Sequence, residues 1–355
     1  MAHYHSTVSC PALAYPPHRM DLAGMLDMAR EHYGETPQFR VIERMITNTE
    51  IAERRFVVPA NELGKQSGLA ERTASYMAHA RPLARTVAEA ALANAGLEPR
   101  DIDMIIVASC TSFVMPSLDA YLIDDLGLRP TTRRMPLAQL GCVAGASALA
   151  KANDHCRAYP DARVLVVAVE LSSLCFFSEH KDLTSAVCAS IFGDGAAACI
   201  VSGSAHDGAG CLRLGASLSY TLPSSDHYIR YLVTDAGYHL TLDREVMHSV
   251  PKLAPLLRQF LTDEGVDRLD FVLAHTGGRR IIDGVVLSLE IDERLVDHSR
   301  ASLREHGNTA SVSVFDVVRR AYAREALDLA GRPNDGLVLA FGPGFTMEAV
   351  HASWA

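Results

Sequence analysis

Continuous apolar runs closed by glycines and polar turns set the rhythm of this chain. Asp103-Met104-Ile105-Ile106-Val107-Ala108-Ser109, residues 163–170, Phe271-Val272-Leu273-Ala274 and residues 336–340 show no polar alternation, which predicts strands buried on both faces. Helical periodicity fills the intervals. A long Ala-rich segment over about 71–95 ends at Gly96, a second helix opens at Pro116 and stops at Gly127, and others cover about 183–191 and 251–264. Gly277-Gly278 precedes a helix to about 289, and Gly307-Asn308 opens one through about 326. Strands alternating with helices predict an α/β fold with a parallel or mixed sheet covered on both sides. Gly193-Asp194-Gly195 leads into a strand at 196–202, and Gly342-Pro343-Gly344 leads into one at 345–351. The same grammar thus closes two similar halves, 1–208 and 209–355, joined between Gly203 and Leu214 without a Pro/Gly/Ser-rich linker.

One stretch departs from the amphipathic pattern. After Leu140-Gly141-Cys142, residues 143–150 read Val-Ala-Gly-Ala-Ser-Ala-Leu-Ala, a helix with no charged side to give to water. Such a helix is buried all round. The glycine permits a sharp approach, and Cys142 falls at or near the first turn, where free backbone N–H groups favour a thiolate. A packed core thiol is the other reading of this stretch alone.

Composition narrows the field. The chain has 355 residues, 48% hydrophobic and 21% charged, with net charge −9, so no basic face for nucleic acid or anionic lipid is expected. No apolar run is long enough for a membrane span, and residues 1–19 lack the pattern of a signal peptide. The eight cysteines include no CxxC pair, which argues against zinc ribbons and thioredoxin-like redox sites and for reduced, cytoplasmic thiols, mostly structural with a few lining a cavity. No GxGxxG follows a strand and no GxxxxGK[ST] occurs, so no nucleotide cofactor or metal is expected. Arg40, Arg44, Arg54 and Arg55 form a basic cluster that can meet a phosphate.

Three residues share a placement. Cys142 opens a helix, His275 ends a buried strand, and Asn308 follows Gly307 at the start of another helix. Ligands of α/β folds gather at strand C-termini and helix N-termini. The order Cys, His, Asn also suits papain-like peptidases. The Val-Ala-Gly after Cys142, its mid-chain position and the duplicated halves oppose that reading.

Met135 to Ala146, Ile191-Phe192-Gly193-Asp194-Gly195, His275-Thr276-Gly277-Gly278, Gly307-Asn308 and Phe341-Gly342-Pro343-Gly344 together resemble the type III polyketide synthases, the chalcone-synthase-like enzymes, from about residue 40 onward. The resemblance implies a thiolase-like αβαβα fold, internally duplicated, and a homodimer. It implies CoA thioester substrates, malonyl-CoA with or without another acyl-CoA starter, condensed with loss of CO2. By the same resemblance Cys142 is the acylated nucleophile, with His275 and Asn308 the other catalytic positions. Phe192 is a gatekeeping aromatic, Arg44 a CoA-phosphate contact, and Met115 the residue that reaches the partner's cavity. A second basic CoA contact is missing, with Thr49 near its place. Cys110, Cys175, Tyr231 and Ala310 resemble the cavity residues of bacterial 1,3,6,8-tetrahydroxynaphthalene synthases. The second gate position falls on Leu240, or on Tyr238 if the alignment slips. A missing aromatic gate leaves open an acyl-primed product of pyrone or resorcinol type. A ketoacyl synthase of the fatty-acid kind is opposed by Asn308 where those enzymes place a second histidine, and a catalytically silent acyl-CoA-binding scaffold by the presence of all three catalytic residue types.

Overall fold

The computed structural model describes residues 5–66, 68–177, 182–206, 208, 210–323, 328–329 and 333–355. Their framework is a ten-stranded mixed sheet. At one edge Arg133–Leu137 and Met104–Ala108 run parallel, as do Met104–Ala108 and Arg163–Leu171, and Asp194–Gly203 then pairs antiparallel. At the other edge Phe271–Ala274 runs parallel to Gly336–Gly342, followed antiparallel by Thr346–Trp354 and Leu212–Thr221. Ser6–Val8 joins the two sets, with Thr7 opposite both Ser202 and Arg213.

Period-two alternation sorts the strand residues between two cores. Ile106, Val166 and Val338 face an inner core built around the helices Ala144–Ala158 and Ser313–Tyr322. Ile105, Val167 and Leu339 face the outer helices, among them Leu69–Ala95, Val250–Asp263 and Arg279–Leu289. The first inner helix packs against strands of both sets. The order from one outer face to the other is therefore helix, sheet, helix, sheet, helix. Ala146, Ala148, Leu149, Ala150 and Ala152 are fully buried, as the missing polar face foretold.

Two expectations are corrected, those for Cys142 and Asn308, and two elements were unforeseen. Arg133–Leu137 is a strand although Pro136 lies within it, because it occupies the sheet edge, where a missing N–H breaks no inner ladder. Cys142 lies in the 3-10 turn Gly141–Val143, two residues before the helix Ala144–Ala158 begins. Asn308 does not open a helix: it forms an isolated bridge to Phe192, and the helix Ser313–Tyr322 begins after the 3-10 turn Ala310–Val312. The expected end at Ala326 lies outside the described residues. Finally, Ile229–Thr234 and Gly237–Leu242 form a separate hairpin that the apolar pattern did not announce.

Candidate active site

The corner around Cys142 depends on close backbone approach. Gly141 has φ +58°, a left-handed conformation open to glycine, and a Cβ there would sit 2.7 Å from Pro343 Cδ. The loop Gly342-Pro343-Gly344 of the second half thereby packs directly on the turn that carries the thiol. Behind it, a Cβ on Gly145 would lie 2.3 Å from the Ser311 carbonyl oxygen, so this glycine lets the two buried segments touch.

His275 follows the strand Phe271–Ala274 and continues its pairing, its N–H donating to the Leu339 carbonyl at 2.9 Å. The Phe341 N–H is directed at its Nδ1 at 3.4 Å, an arrangement that assigns the proton of the neutral ring to Nε2. Asn308 is held from three sides. Its N–H donates to the Ile191 carbonyl at 2.8 Å, its carbonyl accepts from the Gly193 N–H at 3.0 Å, and its Oδ1 accepts from the Ala310 N–H at 2.8 Å. The amide orientation is thus set, and Nδ2 points at the Cys142 sulfur 4.0 Å away. Both His275 and Asn308 are buried.

Burial governs the charge states here. It pushes the Cys142 thiol up to about 12, the Glu170 carboxylate adds to the rise, and the Asn308 amide and the Cys142 backbone N–H oppose it. It also pushes the His275 imidazole down to about 4. Burial thus disfavours both a thiolate at Cys142 and an imidazolium at His275 in the resting chain. The helix Ala144–Ala158 starts two residues beyond Cys142, and burial is the cause of the lowered His275 imidazole.

A wall of small polar groups continues from the thiol. The Cys110 N–H and Sγ bond to Glu170 Oε2 at 3.0 and 3.5 Å, and the Ser311 hydroxyl donates to Oε1 at 2.5 Å. Burial pushes Glu170 up to about 7 against these donors. Cys175 Sγ bonds to the Thr111 carbonyl at 3.5 Å and is reached by the Tyr231 hydroxyl. Tyr231 stands directly across the hairpin from Leu240. Phe192, Cys175, Tyr231 and Leu240 line one cavity, whereas the Tyr238 hydroxyl turns to the Phe113 backbone. Ala310 is buried beside Asn308. Glu170 was missed: it closes an apolar strand and no spacing marks it. A neighbouring cavity of about 340 Å³ lies among Met25, Met28, Tyr33, Leu63 and Phe176 and carries none of the expected catalytic groups.

Two expected residues stand apart from this cluster. Arg44 is exposed in the last turn of the helix Phe39–Thr47. Met115 is 85% exposed on the chain surface, two residues from an exposed Phe113. Among the described residues no helix is long and apolar enough to cross a membrane.

The family models for chalcone and stilbene synthases match this chain over almost its whole length, the N-terminal domain at residues 38–205 and the C-terminal domain at 213–353. The chain is 41% identical to the phloroglucinol synthase of Pseudomonas fluorescens, covering 98% of this chain and 99% of that one. It is 38% identical to the 1,3,6,8-tetrahydroxynaphthalene synthase of Streptomyces griseus, covering 99% and 93% respectively. The crystal structure of the Streptomyces coelicolor tetrahydroxynaphthalene synthase superimposes with a TM-score of 0.93 at 38% identity, over 98% of this chain and 99% of that one. The chain belongs to the chalcone and stilbene synthase family: it is a type III polyketide synthase, an acyltransferase of thiolase-like fold. Membership implies malonyl-CoA as substrate.

Proposed function

We propose that Cys142 carries the growing chain while His275 and Asn308 stabilise the enolate formed when malonyl-CoA loses CO2. The observation that carries this reading is the fixed Asn308 amide, with Nδ2 4.0 Å from the Cys142 sulfur. Attack of the thiol on a CoA thioester transfers the acyl group to sulfur, and the thiol proton leaves on the departing CoA thiol. Cleavage of the malonyl C–C bond then releases CO2 and leaves an enolate, whose oxygen needs fixed donors in a dry pocket. The Asn308 Nδ2–H and the neutral His275 Nε2–H supply them. The enolate carbon attacks the acyl carbonyl on Cys142 and expels its sulfur, completing one extension. A His275 kept neutral by burial suits a donor role at neutral pH.

Malonyl-CoA serves in this reading as both starter and extender, and a five-unit chain closes to 1,3,6,8-tetrahydroxynaphthalene. The support is the Tyr231 hydroxyl on Cys175, both lining the cavity and able to hold chain carbonyls or a starter carboxylate. A second reading, phloroglucinol, is favoured by the relative at 41% identity. Pure protein given malonyl-CoA alone and assayed by mass spectrometry separates the two by carbon count. No aromatic product from malonyl-CoA, with efficient priming by an acyl-CoA, would favour the pyrone or resorcinol alternative raised by Leu240. Arg44 contributes a CoA-phosphate contact. The chain is read as two halves, 1–208 and 209–355, and as a cytoplasmic homodimer in which Met115 completes the partner's cavity.

A further inference from the structure

Arg72 lies in the first turn of the helix Leu69–Ala95, buried, and forms no salt bridge among the described residues. Its donors go to backbone carbonyls instead. Nη1 reaches the Leu174 and Phe176 carbonyls at 2.6 and 2.9 Å, Nε the Ala236 carbonyl at 2.9 Å, and Nη2 the Gln66 carbonyl at 3.2 Å. Leu174 and Phe176 flank Cys175. Ala236 is in the turn of the hairpin that sets Tyr231 opposite Leu240. One guanidinium therefore ties together both strips of the cavity wall.

Ring contacts extend the tie. The Arg72 guanidinium lies 4.1 Å from the Phe177 ring centroid, and Phe177 stacks on His239 at 4.1 Å and 10°. His239 is the neighbour of Leu240. The hairpin turn comes so close that a Cβ on Gly237, at φ +136°, would lie 2.8 Å from Arg72 Cδ. The Leu69 N–H adds a bond to the Asp235 carbonyl at 2.7 Å, so the start of this one helix grips the turn twice.

Burying a cation is unfavourable, and burial pulls the Arg72 guanidinium below its ordinary range against the charges of Cys175 and Glu71. An apolar side chain would fill the space without that penalty. What it cannot do is satisfy diverging carbonyls from three segments, for which a planar fork of five donors is suited. We propose that Arg72 is a positioning residue that fixes the depth of the cavity and so the number of malonyl units added before release. This rests on the reading that the chain grows against Cys175, Tyr231 and Leu240.

The test is Arg72→Lys, which keeps the charge but replaces the fork with a flexible ammonium. Release of CO2 from malonyl-CoA should stay within about twofold of wild type, while the share of the wild-type product falls at least about fivefold in favour of shorter or longer chains. Gly237→Ala pushes on the same contact from the hairpin side and should shift the products in the same sense, so it decides the matter if Arg72→Lys does not fold. Wild-type polyketide with an unchanged product pattern in the folded variants overturns the proposal alone. A wild-type protein that makes no polyketide contradicts the underlying reading and the proposal with it.

Discussion

Glu170 shows how one buried side chain couples charge to reactivity. Its carboxyl is fully buried and pushed up from an ordinary 4.5 to about 7, with Cys110 and Ser311 as donors. A raised carboxyl favours the folded state while protonated, so its contribution is present below about 4.5 and is lost as pH rises through about 7. Melting temperature should therefore fall between those pH values, and Glu170→Gln should flatten the fall by removing about 3 kcal/mol of pH-dependent stability. An unchanged pH dependence in the variant would count against a buried, raised carboxyl. The same substitution removes the charge that lifts the Cys142 thiol. Alkylation of Cys142 by iodoacetamide at pH 8 should then be faster in Glu170→Gln than in wild type. Neither Glu170 nor Arg72 could be found from spacing: one ends an apolar strand, and the other sits in a helix whose charges look solvated. The local settings of Cys142 and His275 were legible, because a glycine and a strand end mark them, whereas the helix start expected at Asn308 is a bridge to Phe192.

At the scale of elements, the buried helix Ala144–Ala158 meets the turn Ala310–Val312 closely at Gly145, whose Cβ position is crowded by the Ser311 carbonyl and by the Val314 and Phe315 side chains. Gly145→Ala inserts a methyl 2.3 Å from the Ser311 carbonyl, and backbone cannot yield as a flexible side chain would. Overpacking of this kind should lower the melting temperature by at least about 5 °C and cut turnover more than tenfold, as calorimetry and steady-state kinetics would reveal. Wild-type turnover in this variant would mean that the close contact does not hold the thiol in place. The long apolar runs, the Ala-rich helix and the helix end at Gly96 were legible because local pattern sets them. The hairpin Ile229–Thr234 with Gly237–Leu242 was not, since its turn Asp235-Ala236 lacks the usual Asn-Gly or Asp-Gly signal. Ser6–Val8 was equally hidden, because its pairing to both Asp194–Gly203 and Leu212–Thr221 is made across the whole chain.

For the whole molecule, the proposed catalytic groups meet across the two family domains: Cys142 falls in the N-terminal one, His275 and Asn308 in the C-terminal one, and the Phe192–Asn308 bridge ties one to the other. The exposed Phe113 and Met115 mark one further surface left uncovered by the single chain. An isolated chain leaving Met115 in water exposes apolar area that a partner would bury, so sedimentation equilibrium should report a dimer, and Met115→Lys should weaken it. A fully active monomer would refute the dimer. In the proposed chemistry Cys142 is the carrier and His275 and Asn308 are the donors, and one assay separates the two roles. Malonyl-CoA is supplied to Cys142→Ala and to Asn308→Ala, and both CO2 release and polyketide are followed by mass spectrometry. Cys142→Ala should release CO2 but form no polyketide, and Asn308→Ala should do neither. Polyketide at the wild-type level from Cys142→Ala, or undiminished CO2 release from Asn308→Ala, would contradict the account.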